Sequence, residues 1–554
     1  MLARRAIPRT LAMLAGVGLL AVGCSAAATK AAPPSAGEGV IVDALAGEPG
    51  TLNPILGPSS FYTRIVTNAL FSNLFTVTPA GTLVPVLATT VPTVANGGIS
   101  KNGLVYTIHL RQGLKWSDGA PFTAKDVWET YHLANNTSVN AVLRSGFSDI
   151  KQFQIVNPYT VRITLAQSFA PFLSMDWATS QPGIIPWHIF KNIPPGKVNT
   201  AAYNHDPTAT LGPYEFVSWI PGTSITVKAN PHWWGPPVKT KTIKFEIMPN
   251  QNSILLAAQA RSINVYWSAP IEQLAQLRKI AGAHVFVVKS PTWNHIDFNM
   301  HNPLFASAQV RIALAMALDR PAVLKHIWDG AGTLMAADQP PTSWAYDPHV
   351  TPYPYNPRKA LNLLEAQGFR YVGAYPSGTL EKNGTPVTLT FVSVAGVPAV
   401  QAEERIYQAN LRAVGIAVTL KNYPVATLFG SVLPSGRIGS QSGGWDLGEF
   451  TWTNRYDPGV VSAFNLAGSS IPADNFGAFR SHRLDQLFRE EQSLVTNSQR
   501  QPIFWHIQVL EKQLEPDIFL YSEPQIDVAI NMTGYQPNAI EGDTWNCYDW
   551  QLRS

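Results

Sequence analysis

A mixed α/β chain of two or three domains is what the sequence predicts, and three observations carry that expectation. Strand-like and helix-like segments alternate from residue 40 onward. The 554 residues are too many for one hydrophobic core to organise. Hydrophobic side chains make up 45% and charged ones only 14%, a balance that excludes a disordered chain. Forty basic residues against 36 acidic ones leave +4, with no stripe of Lys and Arg to follow a nucleic-acid backbone. Nucleic acid is therefore not an expected partner. Cys24 and Cys547 are the only cysteines. They cannot build a disulfide framework or a four-thiolate zinc site, so packing has to hold the fold.

The chain opens with an address. Arg4, Arg5 and Arg9 precede an apolar run from Leu11 to Val22, and Gly23 and Cys24 follow directly. A permanent transmembrane helix needs about 20 apolar residues, so this shorter run reads as a cleaved export signal over residues 1–23. Leu20 to Cys24 resembles a bacterial lipobox, which makes Cys24 the expected site of lipidation. An ordinary signal peptide with an incidental cysteine is the plain alternative. Residues 24–39 hold no large apolar side chain and read as a flexible tether. No later apolar run reaches 18 residues, so the body is expected to lack a membrane span.

Val40–Leu45 is a short apolar strand, followed by turn-rich residues Gly47 to Pro54. Within Ser60–Phe75, Ile65, Val66, Ala69, Leu70 and Leu74 share one helical face. Leu104–Arg111 alternates like a half-buried strand, and Thr123 with Asp126 has the capping arrangement of a helix running to about Leu133. Further strands are expected over 159–165, 224–229, 242–248, 284–288, 295–298 and 387–394. Helices are expected over 310–318, 358–367, 402–414, 484–495 and 502–514. Composition changes near Pro291 and Pro502 mark places where a chain could leave one lobe and later return to it.

Catalytic motifs are missing. There is no Walker loop, no His-Glu-x-x-His, no Gly-x-Ser-x-Gly and no Cys-x-x-Cys, and the 12 histidines are scattered without metal-ligand spacing. No cofactor or metal is expected. A hydrolase whose residues assemble only in space stays open as an alternative.

Segments spread along the whole body carry a family likeness. They include Glu48 to Pro54, Leu70 to Phe75, Gly81 to Ala88, the long stretch from Leu104 through Trp116, Ser117, Asp118 and Gly119 to Val127, and Leu211 to Phe216. Further on come Ala229 to Gly235, Val310 to Arg320, Tyr355 to Ala360, Trp452 to Pro458 and Phe476 to Asp485. Read together, they resemble the family 5 extracytoplasmic solute-binding proteins, the receptors of peptide and nickel ABC importers. The plain structural reading of the same motifs is a scaffold. Gly113 to Asp118 would be a turn, Arg311 and Arg320 would face out or cap a helix, and Trp233 and Trp234 would anchor a loop.

The resemblance implies an α/β, two-lobed periplasmic-binding-protein-like fold of type II, with mixed sheets, a hinge and an extra subdomain in the first lobe. It places the first lobe over residues 40–290, with the inserted subdomain at about 81–204, the second lobe over 291–504, and a return to the first lobe over 505–554. It implies a monomeric, non-enzymatic receptor outside the cytoplasm, tied to the membrane by a lipid. Such a receptor captures oligopeptides or dipeptides in an interlobe cleft and delivers them to a permease driven by separate ATPase subunits.

By resemblance, Glu48 and Thr51 belong to the ligand edge of the first lobe, and Trp452, Thr453, Asn454, Arg455, Tyr456 and Asp457 to the facing segment of the second. Trp445 is the further aromatic candidate. One position departs from the family. Peptide-binding relatives commonly carry an aspartate for the ligand's ammonium group where this chain has Arg455, and a cation cannot hold an ammonium. Three readings follow: Asp446 or Glu449 supplies the carboxylate, the ligand has no free amine there, or Arg455 takes an anionic group bidentately. The nickel-chelate branch, in which an arginine and aromatic faces hold a carboxylate-rich chelate, is the corresponding alternative cargo. Cys547 is expected to be an inert buried thiol near Trp545 and Trp550.

Overall fold

A computed structural model describes residues 39–56, 61–141, 144, 146–178, 183–459 and 475–553. Cys24 and the tether lie outside the described residues. The first strand, Val40–Leu45, is buried at every position because it is covered on both sides. It runs parallel to Thr242–Ile247 on one flank and to Val265–Tyr266 on the other. Asn264 pins it, accepting from Val42 N at 2.9 Å and donating to Ile530 O at 3.1 Å. The same sheet continues outward through Ser224–Ala229 to Tyr214–Ile220. Gly212, just ahead of that last strand, lies so close to the end of the helix Phe61–Leu70 that a Cβ would sit 2.6 Å from Ala69 O. Only glycine allows this approach.

Two long strands carry the sheet into the second lobe. Ala283–Phe298 and Asp517–Ile530 run antiparallel, from Ala283 opposite Ile530 to Asp297 opposite Asp517. Their register breaks between Lys289 and Trp293, where Pro291 and Pro524 remove ladder donors. The sequence predicts two short strands around this break; the structure joins them into one bent strand. A paired double crossing with an interrupted ladder is a hinge. Beyond it, Leu447–Thr453, Thr388–Val394 and Ala417–Tyr423 complete the sheet.

Within the first lobe a separate sheet of Val105–His109, Thr160–Leu165 and Ile150–Asn157 packs under the helix Ala124–Ala134. The expected capping box is present: Asp126 Oδ2 accepts from Thr123 N at 2.7 Å, and Oδ1 also accepts from Trp187 N at 2.9 Å. Trp116, from the most recognisable motif, is fully buried as a scaffold residue.

Arg311 and Arg320 depart from expectation. Both are buried rather than solvent-facing. Arg311 Nε donates to Glu515 O at 2.8 Å, and Arg320 donates to Phe519 O and Tyr353 O, each at 2.5 Å. Five fixed donors let a guanidinium satisfy carbonyls that would otherwise be stranded where the helices meet the second crossing strand. Cys547 is a buried free thiol, and burial pushes its pKa well up.

Candidate ligand site between the lobes

The strand Leu447–Thr453 pairs with the first crossing strand just past the hinge, placing Trp452 opposite Trp293 and Thr453 opposite Thr292. The chain leaving that strand runs along the edge of the second lobe. Thr453 and Thr292 hydroxyls lie 2.9 Å apart. Asn454 is buried, accepting from Trp293 Nε1 at 2.8 Å and donating to Asp338 O at 3.0 Å. These bonds fix the segment to the hinge, so Arg455 and Tyr456 leave it in a defined direction.

Arg455 and Tyr456 enter a cavity of about 250 Å³ with walls from both lobes. The second lobe supplies Asn454 and Trp344, the hinge supplies Pro291, and the first lobe supplies Ala80, Gly81 and Ile540. Tyr456 O accepts from Trp344 Nε1 at 3.2 Å. Burial is the main influence on Arg455 and lowers its guanidinium pKa; Arg64 adds to that, and Asp176 opposes it. Both of those neighbours belong to the first lobe.

Asp176 is fully buried, and neither carboxyl oxygen has a hydrogen-bond partner. Burial first, then Asp149, pushes its pKa well up, while Arg455 opposes the rise. A second space of about 520 Å³ also has walls from both lobes, Ala46 and Tyr62 facing Gly396 and Pro398.

The other expected residues are placed differently. Glu48 is exposed and accepts from Trp219 Nε1 at 2.8 Å and Gly222 N at 2.9 Å, beside a groove of about 620 Å³ confined to the first lobe. Thr51 is buried, donating to Asn204 O at 3.2 Å and accepting from Asn53 N at 3.1 Å. Among the described residues, the hydrogen-bond partners of both lie in the first lobe, so neither joins the segment over 452–457.

Trp445 is fully enclosed with Val392, Leu428, Leu433 and Phe450, its Nε1 donating to Leu433 O at 3.2 Å. Its ring has no face left for a solute. Trp452 is half-buried between that cluster and Trp293, and its indole nitrogen is unpartnered. Asp457 turns inward to Arg500, accepting from Nη1 at 2.6 Å and Nη2 at 2.8 Å.

The two alternative carboxylates are committed inside the second lobe. Asp446 accepts from Thr390 N, Gly439 N and Asn302 Nδ2 at 2.8, 3.0 and 2.8 Å. Glu449 is buried against Glu403 and Asn294. Sequence reasoning missed Arg64, Asp176 and Trp344. Arg64 left one trace, as the sole charged residue of the helix Phe61–Leu70. Asp176 and Trp344 left none, since their roles depend on which lobe they meet.

Two α/β lobes, a double-stranded hinge and a charged cavity with walls from both lobes define a two-lobed solute-binding protein. The chain belongs to family 5 of the bacterial extracellular solute-binding proteins, whose family model matches residues 82–472. Among curated relatives, the oligopeptide-binding protein AppA of Bacillus subtilis (strain 168) is 24% identical over 455 residues, 81% of either chain. The solved structure of AppA from Bacillus subtilis in complex with a nonapeptide has a TM-score of 0.73 at 22% identity, covering 93% of this chain and 99% of that one. NikZ from Campylobacter jejuni in complex with Ni(L-His) has a TM-score of 0.76 at 24% identity, with the same coverage. These likenesses confirm the two-lobed fold. No helix among the described residues is long and apolar enough to cross a membrane.

Proposed function

We propose that this chain is the lipid-anchored receptor of an ABC importer, and that its solute is a peptide or peptide-sized molecule that presents a carboxylate to Arg455. The placement of Arg455 carries this reading. It lines a cavity with walls from both lobes, whereas Asp446 and Glu449, the carboxylates that could have held an ammonium, are committed elsewhere. A guanidinium there suits an anionic partner through two parallel hydrogen bonds. The name of the AppA relative favours a peptide; the likeness to NikZ with Ni(L-His) keeps a carboxylate-bearing chelate as the second reading. Binding without turnover fits the site, whose residues hold a guest through closure of two lobes.

Calorimetric titration with matched peptides, free and N-acetylated, tests this. The acetylated peptide is expected to bind at least as well, and Arg455→Ala to weaken it by roughly tenfold or more. A clear preference for the free amine would reject the reading. For the anchor, replacing Cys24 with Ser is expected to move the protein from the membrane to the soluble fraction, because the other thiol, Cys547, is buried in the fold. Unchanged membrane retention would count against it.

A further inference from the structure

Two helices of the second lobe, His482–Gln492 and Asn497–Leu514, are joined by a short connection whose neighbouring apolar residues face opposite ways. Leu494 packs against the second-lobe cluster that holds Leu487, Phe488 and Phe504. Val495, the next residue, packs instead against the first-lobe core, the cluster that holds Tyr106, Leu165 and Phe172. Its seat lies beside Gly103, where a Cβ would come within 2.8 Å of both Val495 Cγ2 and Ser168 Oγ. Gly103 has a φ of +69°, which glycine adopts without strain, and its missing side chain leaves the room that the valine fills. Gly103 N donates to Ser100 O at 2.8 Å and Leu165 N to Leu104 O at 2.8 Å, so the turn that carries the seat is pinned to the first-lobe sheet.

The connection is stiff on its own side as well. Leu494 N donates to Glu491 O at 3.2 Å, and Thr496 and Gln499 form a capping box at the start of the second helix. Glu491 and Arg500 flank the connection, and Arg500 binds both Glu491 and Asp457, two residues beyond Arg455. The tip that touches the first lobe and the segment that faces the guest are therefore tied into one piece. We propose that Val495 is an interlobe latch: it seats beside Gly103 when the lobes shut and sets how firmly they stay shut, without touching the guest. This rests on the reading of the chain as a receptor that closes, and not on what Arg455 binds.

Burying a valine side chain shifts an equilibrium by about tenfold or more. When the lobes part, that side chain returns to water, so its contribution belongs to the shut form alone. Affinity for any guest, and the rate of its release, then depend on a contact remote from the cavity.

The test uses the full chain with Ala80→Cys and Thr342→Cys, which line the interlobe cavity from opposite lobes, and with Cys24→Ser, so that the buried Cys547 is the only native thiol. The rate at which a bismaleimide joins the two new cysteines reads how often the lobes are shut, with no solute needed. Adding Val495→Asp is expected to slow joining by about tenfold or more, because shutting would bury an unpaired carboxylate. Val495→Thr, which keeps the shape and adds a hydroxyl, is expected to slow it several-fold. Both variants are expected to unfold at nearly the native temperature, since the contact lies between the lobes and not within one.

Joining at the native rate or faster in both variants overturns the latch and leaves the closing receptor standing. A variant that unfolds earlier but joins at the native rate overturns it too, by showing a role inside the second lobe. No joining in the chain that keeps Val495 overturns both readings. Should Val495→Asp not fold, Val495→Thr decides.

Discussion

Replacing Arg500 with alanine is expected to destabilise the second lobe by about 3–5 kcal/mol, the usual cost of stranding buried charges. Arg500 is 1% exposed. Besides its two bonds to Asp457, it donates from Nε and Nη2 to Glu491 Oε2 at 2.8 and 2.6 Å. Burial lowers its pKa, but the two carboxylates more than reverse this, so it stays charged. Glu491 comes from the helix His482–Gln492 and Arg500 from Asn497–Leu514, so the triad clamps both helices to the segment that carries Arg455.

Thermal unfolding should show a loss of roughly 10 °C in the transition of that lobe. A loss below about 1 kcal/mol would show that the triad contributes little. Removing all three charges together, with Asp457→Asn, Glu491→Gln and Arg500→Met, is expected to cost less than Arg500→Ala alone. No ion is then left buried without a partner.

Stability is also expected to fall as pH rises from 5 to 8.5, with Glu403 and Glu449 as principal contributors. Glu403 lies on the helix Pro398–Ala413 and Glu449 on the strand facing it, and both are buried. Asn294 Nδ2 donates to both, at 3.4 and 3.2 Å, and the Tyr521 hydroxyl donates to Glu403 Oε2. Asn294 and Tyr521 belong to the two crossing strands, so the pair sits directly behind the hinge. Burial first pushes both carboxyls up, Glu403 to about 8; the charges of Glu523 and Glu404 add to the rise of Glu403, and that of Glu403 to the rise of Glu449.

Their folded pKa values exceed the unfolded ones. The stabilisation is therefore complete below about 4.5 and disappears as pH rises through about 8. The loss between those limits is on the order of 3 kcal/mol. Glu515, at about 8, and Asp297 and Glu523, at about 7, act in the same direction for the same main reason, burial. Glu449→Gln keeps the hydrogen bonds without a titrating proton and is expected to flatten the decline between pH 5 and 8.5. A variant that declines as steeply as the native protein would place the effect elsewhere.

Most of the local structure was legible in the residues. The helix after Thr123 ends at Ala134, one residue past its expected end, because a capping box is a local device. The strand Val40–Leu45 was legible because β-branched apolar runs between turn residues have few alternatives. Pro502 obscured the last long helix, which starts earlier, at Asn497, from a Thr496 cap; the proline is tolerated in its first turns. Family membership was legible from motifs that proved to be scaffold, Trp116 and Gly212 among them.

The site was legible only in part. Arg455 stood out because a cation replaced an expected carboxylate, and the structure places it on the interlobe cavity. Trp445 and Asp457 looked equivalent to it in sequence, yet one fills a core and the other is bound by Arg500. A side chain's period along a strand tells which residues share a face, not whether that face meets solvent, core or the other lobe.

The sequence by itself determined the alternating helices and strands, because turns, caps and apolar periods are set by residues close together in the chain, and its motifs carried the resemblance that implied a two-lobed family 5 fold. Only the tertiary structure decided which residues meet between the lobes. Ala80 and Tyr456, 376 positions apart, line one cavity, and burial, which shifts each charge there, depends on what every other part of the chain brings beside it.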